Sequence, residues 1–271
     1  MKSAATTQRS TATRTDQPVP EPAEAGGVRS VQRAMEILSL LTESRPTVTI
    51  RQIVEATHLA KTTVIRLVQT LEQAGLLWAT TNGYTAGPGL WRWAHLARRS
   101  WELPPETQHL MRELADRQGE TVNVFVARDI YRVCIAQQES RQPLRHVVHV
   151  GDEIPLWAGA SSKVLLRDAS PSLLVRIARS SPYGESHVDT LRQWIQEAVR
   201  TGYATSAGER DQGLSAVAVP VTGRSVAVVA ALSLSGPTVR FTEDRIPDMI
   251  EDLKKVSARM SERGFAHPLT G

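Results

Sequence analysis

The sequence predicts an α+β chain in two parts, a small helical domain followed by a larger mixed one, and three observations carry that expectation. Apolar residues recur at helical spacing through the first hundred positions, interrupted by one hairpin signal, whereas beyond Pro104 helical and strand patterns interleave. The charge divides at the same place: residues 28–100 carry nine Lys/Arg against four Glu, while 101–271 hold twenty basic and twenty-one acidic groups. The length, 271 residues, suits one large domain or two ordinary ones and does not choose between them. A single cysteine, Cys134, excludes an intrachain disulfide and a cysteine-built zinc site, and it suits a reducing cytoplasm. No apolar stretch reaches the ~18–20 residues of a membrane helix. The nearest, 214–234, is broken by Thr222-Gly223-Arg224-Ser225, which reads as a hairpin turn. The N-terminus shows no apolar core of signal-peptide type, so a cytoplasmic protein is expected.

Residues 1–27 are rich in Ser, Thr, Ala and Pro, with Val19 the only large aliphatic after Met1, and read as a disordered tail. Ser30 is the expected cap of a first helix carrying Val31, Ala34, Met35, Leu38 and Leu41, which Pro46 ends. Thr49 and Gln52 have capping-box spacing and open a short second helix with Ile50, Ile53 and Val54 on its apolar face. His58-Leu59-Ala60 breaks it. Val64, Leu67, Val68 and Leu71 mark a third helix, closed by Gly75. Short helix, tight turn and longer helix make a helix-turn-helix over about 50–70. Leu76-Leu77-Trp78 and Tyr84-Thr85 then flank Asn82-Gly83, a pair that favours a type I′ hairpin turn. Helix-turn-helix plus hairpin is a winged helix, here 28–87. After Pro88-Gly89, residues Leu90, Trp93, Ala94, Ala97 and Trp101 form an apolar stripe opposite Arg92, Arg98 and Arg99. That helix, 88–103, is too short to be a domain and reads as a linker.

The remaining domain, 104–264, is expected to mix helices with antiparallel strands, ahead of a short tail at 265–271. Met111 and Leu114 lie on a helix ending near Gly119; 121–127 and 131–136 read as strands around Arg128-Asp129. A helix is expected over 155–167, another from the Ser170-Pro171 cap, and a third over 189–201 ending at Gly202. Residues 214–221 and 226–234, rich in Val and Ala, form a hairpin buried on both faces. Phe241-Thr242-Glu243-Asp244 is expected to start the last helix.

The third helix carries the clearest chemistry. Its apolar positions point inward, leaving Lys61, Thr62, Thr63, Arg66 and Gln69 outside, with Arg51 on the helix before. Arg suits guanine edges or phosphate, Gln suits adenine, and Thr hydroxyls suit either, so double-stranded DNA is the expected partner of this basic block. The plain alternative is a solvated polar face. No metal or other cofactor is expected: His146 and His149, on a presumed strand at 145–150, would point to opposite faces, and there is no H-E-x-x-H. No G-x-S-x-G elbow is present, Ser161-Ser162-Lys163 lacks the S-x-x-K spacing, and Cys134 reads as a packed core thiol, so catalytic residues are not expected.

Val28-Arg-Ser-Val-Gln-Arg-Ala-Met-Glu-Ile-Leu38, Ala60-Lys-Thr-Thr-Val-Ile-Arg66 with Leu76, and Tyr84 with Gly87-Pro88 resemble the DNA-binding half of the IclR family of bacterial transcription regulators. Val150-Gly-Asp-Glu-Ile-Pro-Leu156, Ala160-Ser-Ser-Lys163, Gly202-Tyr-Ala204 with Glu209, Ala218-Val-Pro-Val221 and Ala231-Leu-Ser-Leu-Ser-Gly-Pro237 resemble its second half in order and approximate spacing. The resemblance spans about 28–263 and implies a winged helix, a dimerising linker helix and a C-terminal GAF-like α/β effector-binding domain. Carried over by position, it implies an effector pocket of Ala160, Ser161, Ser206, Ala216, Ser233 and Ser235. The chain departs from the pattern at Ser162, where Gly is usual, at Trp157, where His is frequent, and at His58, where the turn usually has Gly.

The expectation is therefore a ligand-responsive, sequence-specific regulator, in the first instance a repressor, acting as a homodimer or homotetramer on a pseudo-palindromic operator. A small-molecule enzyme with an appended DNA-binding domain and a non-specific architectural DNA protein are the rivals. Because the carried-over pocket positions hold no side-chain cation, a neutral or weakly acidic organic effector is expected.

Overall fold

The computed structural model describes residues 28–42, 44–223, 227–262, 265, 267 and 268. The tail expected at 1–27, most of that at 265–271, and Arg224 and Ser225 of the expected turn lie outside the described residues. The chain divides into two compact units, Met1–His95 and Leu96–Gly271.

The first unit contains α1 (Arg29–Ser39), β1 (Thr47–Val48), α2 (Ile50–Thr57), α3 (Lys61–Gln73), β2 (Leu77–Thr80) and β3 (Gly83–Ala86). Ile37, Val48, Ile53, Val64, Val68, Leu71 and Leu77 meet in its core. Each such side chain contributes about 1.5–3 kcal/mol of burial, enough together to hold three short helices that would not persist alone. Thr49 and Gln52 form the expected capping box on α2. His58 follows it with φ 54°, a left-handed conformation that a glycine adopts without Cβ strain.

Three local expectations are corrected here. Val28, not Ser30, is the N-cap of α1, and the helix ends at Ser39, seven residues before Pro46. A Thr42–Arg45 turn ends it, with Arg45 Nε donating to the Leu40 carbonyl at 2.8 Å. The hairpin is not type I′, because positive φ falls on neither Thr81 nor Asn82 but on Gly83, at 133°. Its cause is an unforeseen third strand: β1 pairs with β3, and a Cβ on Gly83 would meet the Val48 carbonyl oxygen at 2.6 Å. Glycine is required there by the neighbouring strand rather than by the turn.

The helix α4 (Pro88–Trp101) runs across the division between the units. The second unit continues with α5 (Pro105–Gln118), β4 (Thr121–Arg128), β5 (Tyr131–Gln138), β6 (Glu153–Pro155), α6 (Ala160–Leu165), α7 (Pro171–Arg179), α8 (His187–Thr201), β7 (Ala204–Ala207), β8 (Leu214–Thr222), β9 (Val228–Pro237) and α9 (Ile246–Glu262). Its six strands form one antiparallel sheet in the order β6-β5-β4-β9-β8-β7. Strand alternation sorts the side chains onto two faces. Val122, Val124 and Val126 of β4, with Val217, Val219 and Val221 of β8 and Leu232 and Leu234 of β9, share one core with residues of α5 and α9. Phe125, Cys134, Ala218 and Ala231 point the other way, into a second core with residues of α6, α7 and α8. The central strands are therefore covered on both sides, as their Val- and Ala-rich composition requires.

The helix expected over 155–167 is instead β6, an irregular turn, α6 and a 3-10 turn at Leu166–Asp168. Gly159, at φ 99°, is the break between strand end and helix. Residues 145–150 form no strand. Cys134, in the middle of β5, exchanges backbone hydrogen bonds with Gly151 and Asp152 instead, and that edge of the sheet is taken. The last helix begins at Ile246 rather than Phe241, after a 3-10 turn at Thr238–Arg240. Among the described residues, no helix is long and apolar enough to cross a membrane.

Candidate nucleic-acid interface and a cavity in the second unit

The helix α3 buries Val64, Val68 and Leu71 and leaves Lys61, Thr62, Arg66 and Gln69 exposed, with Thr63 half-buried. At 100° per residue, Thr62, Arg66 and Gln69 line one strip, flanked on opposite sides by Lys61 and Thr63. The N-cap, Ala60, supplies no side-chain hydrogen bond, so the first-turn N–H groups of α3 are not taken by a cap. Arg51 stands apart on α2, its Nε 2.8 Å from Glu55 Oε1. That pair is exposed on both sides, and a phosphate can replace the carboxylate at little cost. The hairpin tip, Thr80 to Asn82, is exposed and offers hydroxyl and amide groups but no cation.

Nothing on α4 is buried. Trp91 is 82% exposed, Trp93 55% and Leu96 50%, and Trp78 of β2 adds another exposed ring at 58%. Trp78, Leu90, Trp91 and Ala94 line one shallow apolar groove within the first unit. Trp91 escaped the stripe read from sequence because it immediately follows Leu90, and adjacent helical positions do not share a face. Trp101 is half-buried, packed edge-on against His267 at 5.4 Å.

In the second unit, all six residues carried over by resemblance, Ala160, Ser161, Ser206, Ala216, Ser233 and Ser235, line one cavity of about 40 Å³. They come from α6, β7, β8 and β9, elements far apart in the chain that the sheet order brings together. Ser235 Oγ accepts from Asn123 Nδ2 at 3.0 Å and lies 2.9 Å from His146 Nδ1. Ser161 and Ser206 make no side-chain hydrogen bond among the described residues, and both line the cavity.

The same wall holds side chains that the sequence reading did not place there: Phe125, Arg132, His146, Glu209, Arg210 and Asp211. Burial, with Arg210 and Arg132 adding to it, pushes His146 down to about 4, so its imidazole is neutral at neutral pH. Lys163 Nζ meets Glu209 Oε1 at 2.5 Å, and Glu209 Oε2 accepts the Gly159 N–H at 3.0 Å. Arg210 pairs with its neighbour Asp211 at 2.5 Å. Arg132 is 7% exposed, and its Nη1 donates to the carbonyls of Ala158 at 2.7 Å and Pro155 at 3.2 Å and to Ser162 Oγ. Ser162, one of the departures from the family pattern, is thus the guanidinium's hydroxyl partner. A cavity without a cation, the ground for expecting a neutral or weakly acidic ligand, is therefore corrected. The carried-over positions are indeed uncharged, but Arg132 and Arg210 arrive from segments that the family motifs did not include.

Cys134 is fully buried, and burial pushes its thiol up to about 12, which leaves no thiolate for chemistry near neutral pH. Among the described residues no group of three His, Cys, Asp or Glu side chains is placed to hold a metal ion.

Comparison with known proteins matches residues 30–78 to the IclR helix-turn-helix domain and 96–262 to the bacterial transcriptional regulator IclR C-terminal domain. An IclR-family transcriptional regulator from Rhodococcus sp. is 40% identical, covering 94% of this chain and 100% of its own, with a TM-score of 0.61. The HTH-type transcriptional repressor AllR of Klebsiella pneumoniae is 27% identical over 257 residues, covering 89% of this chain and 92% of its own. An IclR homologue from Microbacterium hydrocarbonoxydans, solved in complex with 4-hydroxybenzoate, shares the fold at a TM-score of 0.69 and 20% identity, covering 86% of this chain and 98% of its own.

Proposed function

Since the chain belongs to the IclR family and is a helix-turn-helix transcriptional regulator, we propose that it works as a cytoplasmic repressor whose operator affinity is set by a small organic molecule in the cavity of its second unit. Residues 28–87 serve as the DNA-binding domain, 88–103 as the dimerising linker and 104–264 as the effector-binding domain. The observation that carries the reading is the polar face of α3, with Thr62, Arg66 and Gln69 exposed opposite a buried Val64, Val68 and Leu71. This face enters the major groove, Lys61 and Arg51 contact phosphates, and Thr63 supports the strip from its edge. The repressor assignment is supported by the name of the AllR relative. Footprinting the purified protein on DNA upstream of its own and neighbouring genes is expected to reveal a protected pseudo-palindromic site. Equal affinity for any duplex would instead mark a non-specific DNA protein.

The exposed rings of α4 support self-association. Contiguous apolar surface such as Trp78 and Trp91 is rare on monomers, and one winged helix makes too few contacts for tight specific binding. Light scattering at micromolar concentration is expected to give at least a dimer, and Trp91→Glu to shift it toward monomer and weaken operator binding. A wild-type monomer that binds the operator at full affinity rules the dimer out.

The cavity is expected to transmit the signal. A ligand controls DNA binding only if it favours one of two states, so filling the cavity removes control without touching α3. Ser206→Leu, at a half-buried hydroxyl with no side-chain hydrogen bond among the described residues, is expected to abolish the response to any compound that releases wild-type protein from DNA. Ligand-free operator affinity stays within about twofold, since the cavity and α3 belong to different compact units of the chain. A variant that still responds fully places the ligand elsewhere.

A further inference from the structure

We infer that a second small-molecule site lies in an aromatic recess between the turn ahead of α6 and the start of α8, and that it takes an organic cation of the quaternary ammonium class. The recess is distinct from the cavity described above, sharing only Glu209 with it, and the inference stands whether or not that cavity controls DNA binding.

The recess measures about 380 Å³, room enough for a small organic molecule, and its walls are mainly rings: Trp157, Tyr183, His187 and Trp194. The plane of Trp157 stands at 78° to Tyr183 and 72° to His187, and that of Trp194 at 82° to His187. Planes set near right angles make a corner, an arrangement in which several electron-rich faces can meet one guest. The corner is fixed from within. His187 is buried at its centre, and its Nε2–H donates to the Trp157 carbonyl at 2.7 Å. Trp157 is one of the departures from the family pattern, so this wall is a feature of the chain itself. Tyr183, 59% exposed, forms the outer edge.

The charge of the lining selects the guest. No Lys or Arg lines the recess, and its one acid is Glu209. The fold already sets an ammonium against these groups: Lys163 Nζ, reaching from α6, lies 4.2 Å from the Trp194 ring centre and 2.5 Å from Glu209 Oε1. Glu209 Oε2 accepts the Gly159 N–H, so both carboxylate oxygens are engaged and offer a guest field more than hydrogen bonds. A primary ammonium would leave water without recovering its bonds there. A quaternary ammonium has no N–H to satisfy and is held by ring faces. The start of α8 adds little opposing field, because the His187 N–H is taken by the Gly184 carbonyl and Asp189 stands in the first turn. An anion in the same place would meet Glu209 with no cation of the lining to pair it.

The test is calorimetric titration of the full chain with choline and with neohexyl alcohol, in which carbon replaces the nitrogen and the shape is kept without the charge, at constant ionic strength and neutral pH. Choline is expected to bind about tenfold more tightly than the alcohol. Tyr183→Phe keeps the ring and is expected to keep that preference, whereas Tyr183→Leu removes the ring face and is expected to cut it about fivefold. Tyr183 is exposed enough for both variants to fold. Trp157→Leu, on a second wall, is expected to give a loss of the same size. Equal binding of choline and the alcohol, or binding of neither, overturns the assignment. A preference for choline that survives undiminished in both Tyr183→Leu and Trp157→Leu places the cation elsewhere and overturns it as well.

Discussion

An Arg66→Ala variant is expected to lose about 1–3 kcal/mol of operator affinity, a factor of roughly 5 to 150, and to lose discrimination at one base pair of each half-site. Arg66 lies at the centre of the exposed strip of α3, between Thr62 and Gln69, with no acidic partner on its own helix to compete for it. A guanidinium so placed can take the two acceptors of a guanine edge at once, and a methyl group recovers neither bond. Competition binding against every single-base variant of the footprinted site is the measurement. A uniform loss on all sequences assigns Arg66 to phosphate. No loss at all displaces α3 from the groove and with it the proposed interface.

Arg240→Ala is expected to destabilise the second unit by about 3–5 kcal/mol, the range seen when one partner of a buried ion pair is removed. Glu120 has a side chain 1% exposed and receives a two-pronged grip from Arg240, Nε to Oε1 at 2.5 Å and Nη2 to Oε2 at 2.7 Å. Arg245 comes no nearer than 3.9 Å and cannot replace it. Without Arg240 the carboxylate stays buried and uncompensated. Arg240 also donates to the Leu144 carbonyl at 3.0 Å, which ties down the approach to His146, so some of the loss is expected to reach the cavity. Urea unfolding of the variant, alone and combined with Glu120→Gln, checks the assignment. The second substitution removes the stranded charge and is expected to restore part of the stability; a loss below about 1 kcal/mol for Arg240→Ala would show the pair to be a surface contact in effect.

How much of this was legible in the sequence differs between the two units. The winged helix was readable almost residue by residue, because its signals are local. Thr49 and Gln52 act within one turn of α2, and Val64, Val68 and Leu71 repeat within one helix. Two errors were local, the start and the end of α1, where Val28 is the cap and a Thr42–Arg45 turn follows the helix; the others arose where a partner distant in the chain decided the outcome. Gly83 adopts its positive φ because Val48, thirty-five residues earlier, pairs beside it. In the second unit the stretch at 155–167 carries helical periodicity, yet Glu153–Pro155 is claimed by the edge of β5 and only Ala160–Leu165 remains helix. The expected strand at 145–150 fails for the same reason, since Gly151 and Asp152 already satisfy Cys134.

The sequence by itself determined the two-part division, the concentration of positive charge in residues 28–100, the exposed polar strip on α3 and six of the positions around the cavity, the last through resemblance. What only the tertiary structure decided is the charge of that cavity. Arg132 looks, in sequence, like a surface residue at the start of a strand, beside the exposed Tyr131. Its side chain is turned inward by strand alternation, together with Cys134, while Val133 and Ile135 face the opposite core. Which face of a sheet lies over a cavity depends on helices packed from elsewhere in the chain, here α6 and the Gly159 turn before it. Sequence periodicity reports that two faces exist; only the packed layers say which of them surrounds a buried charge.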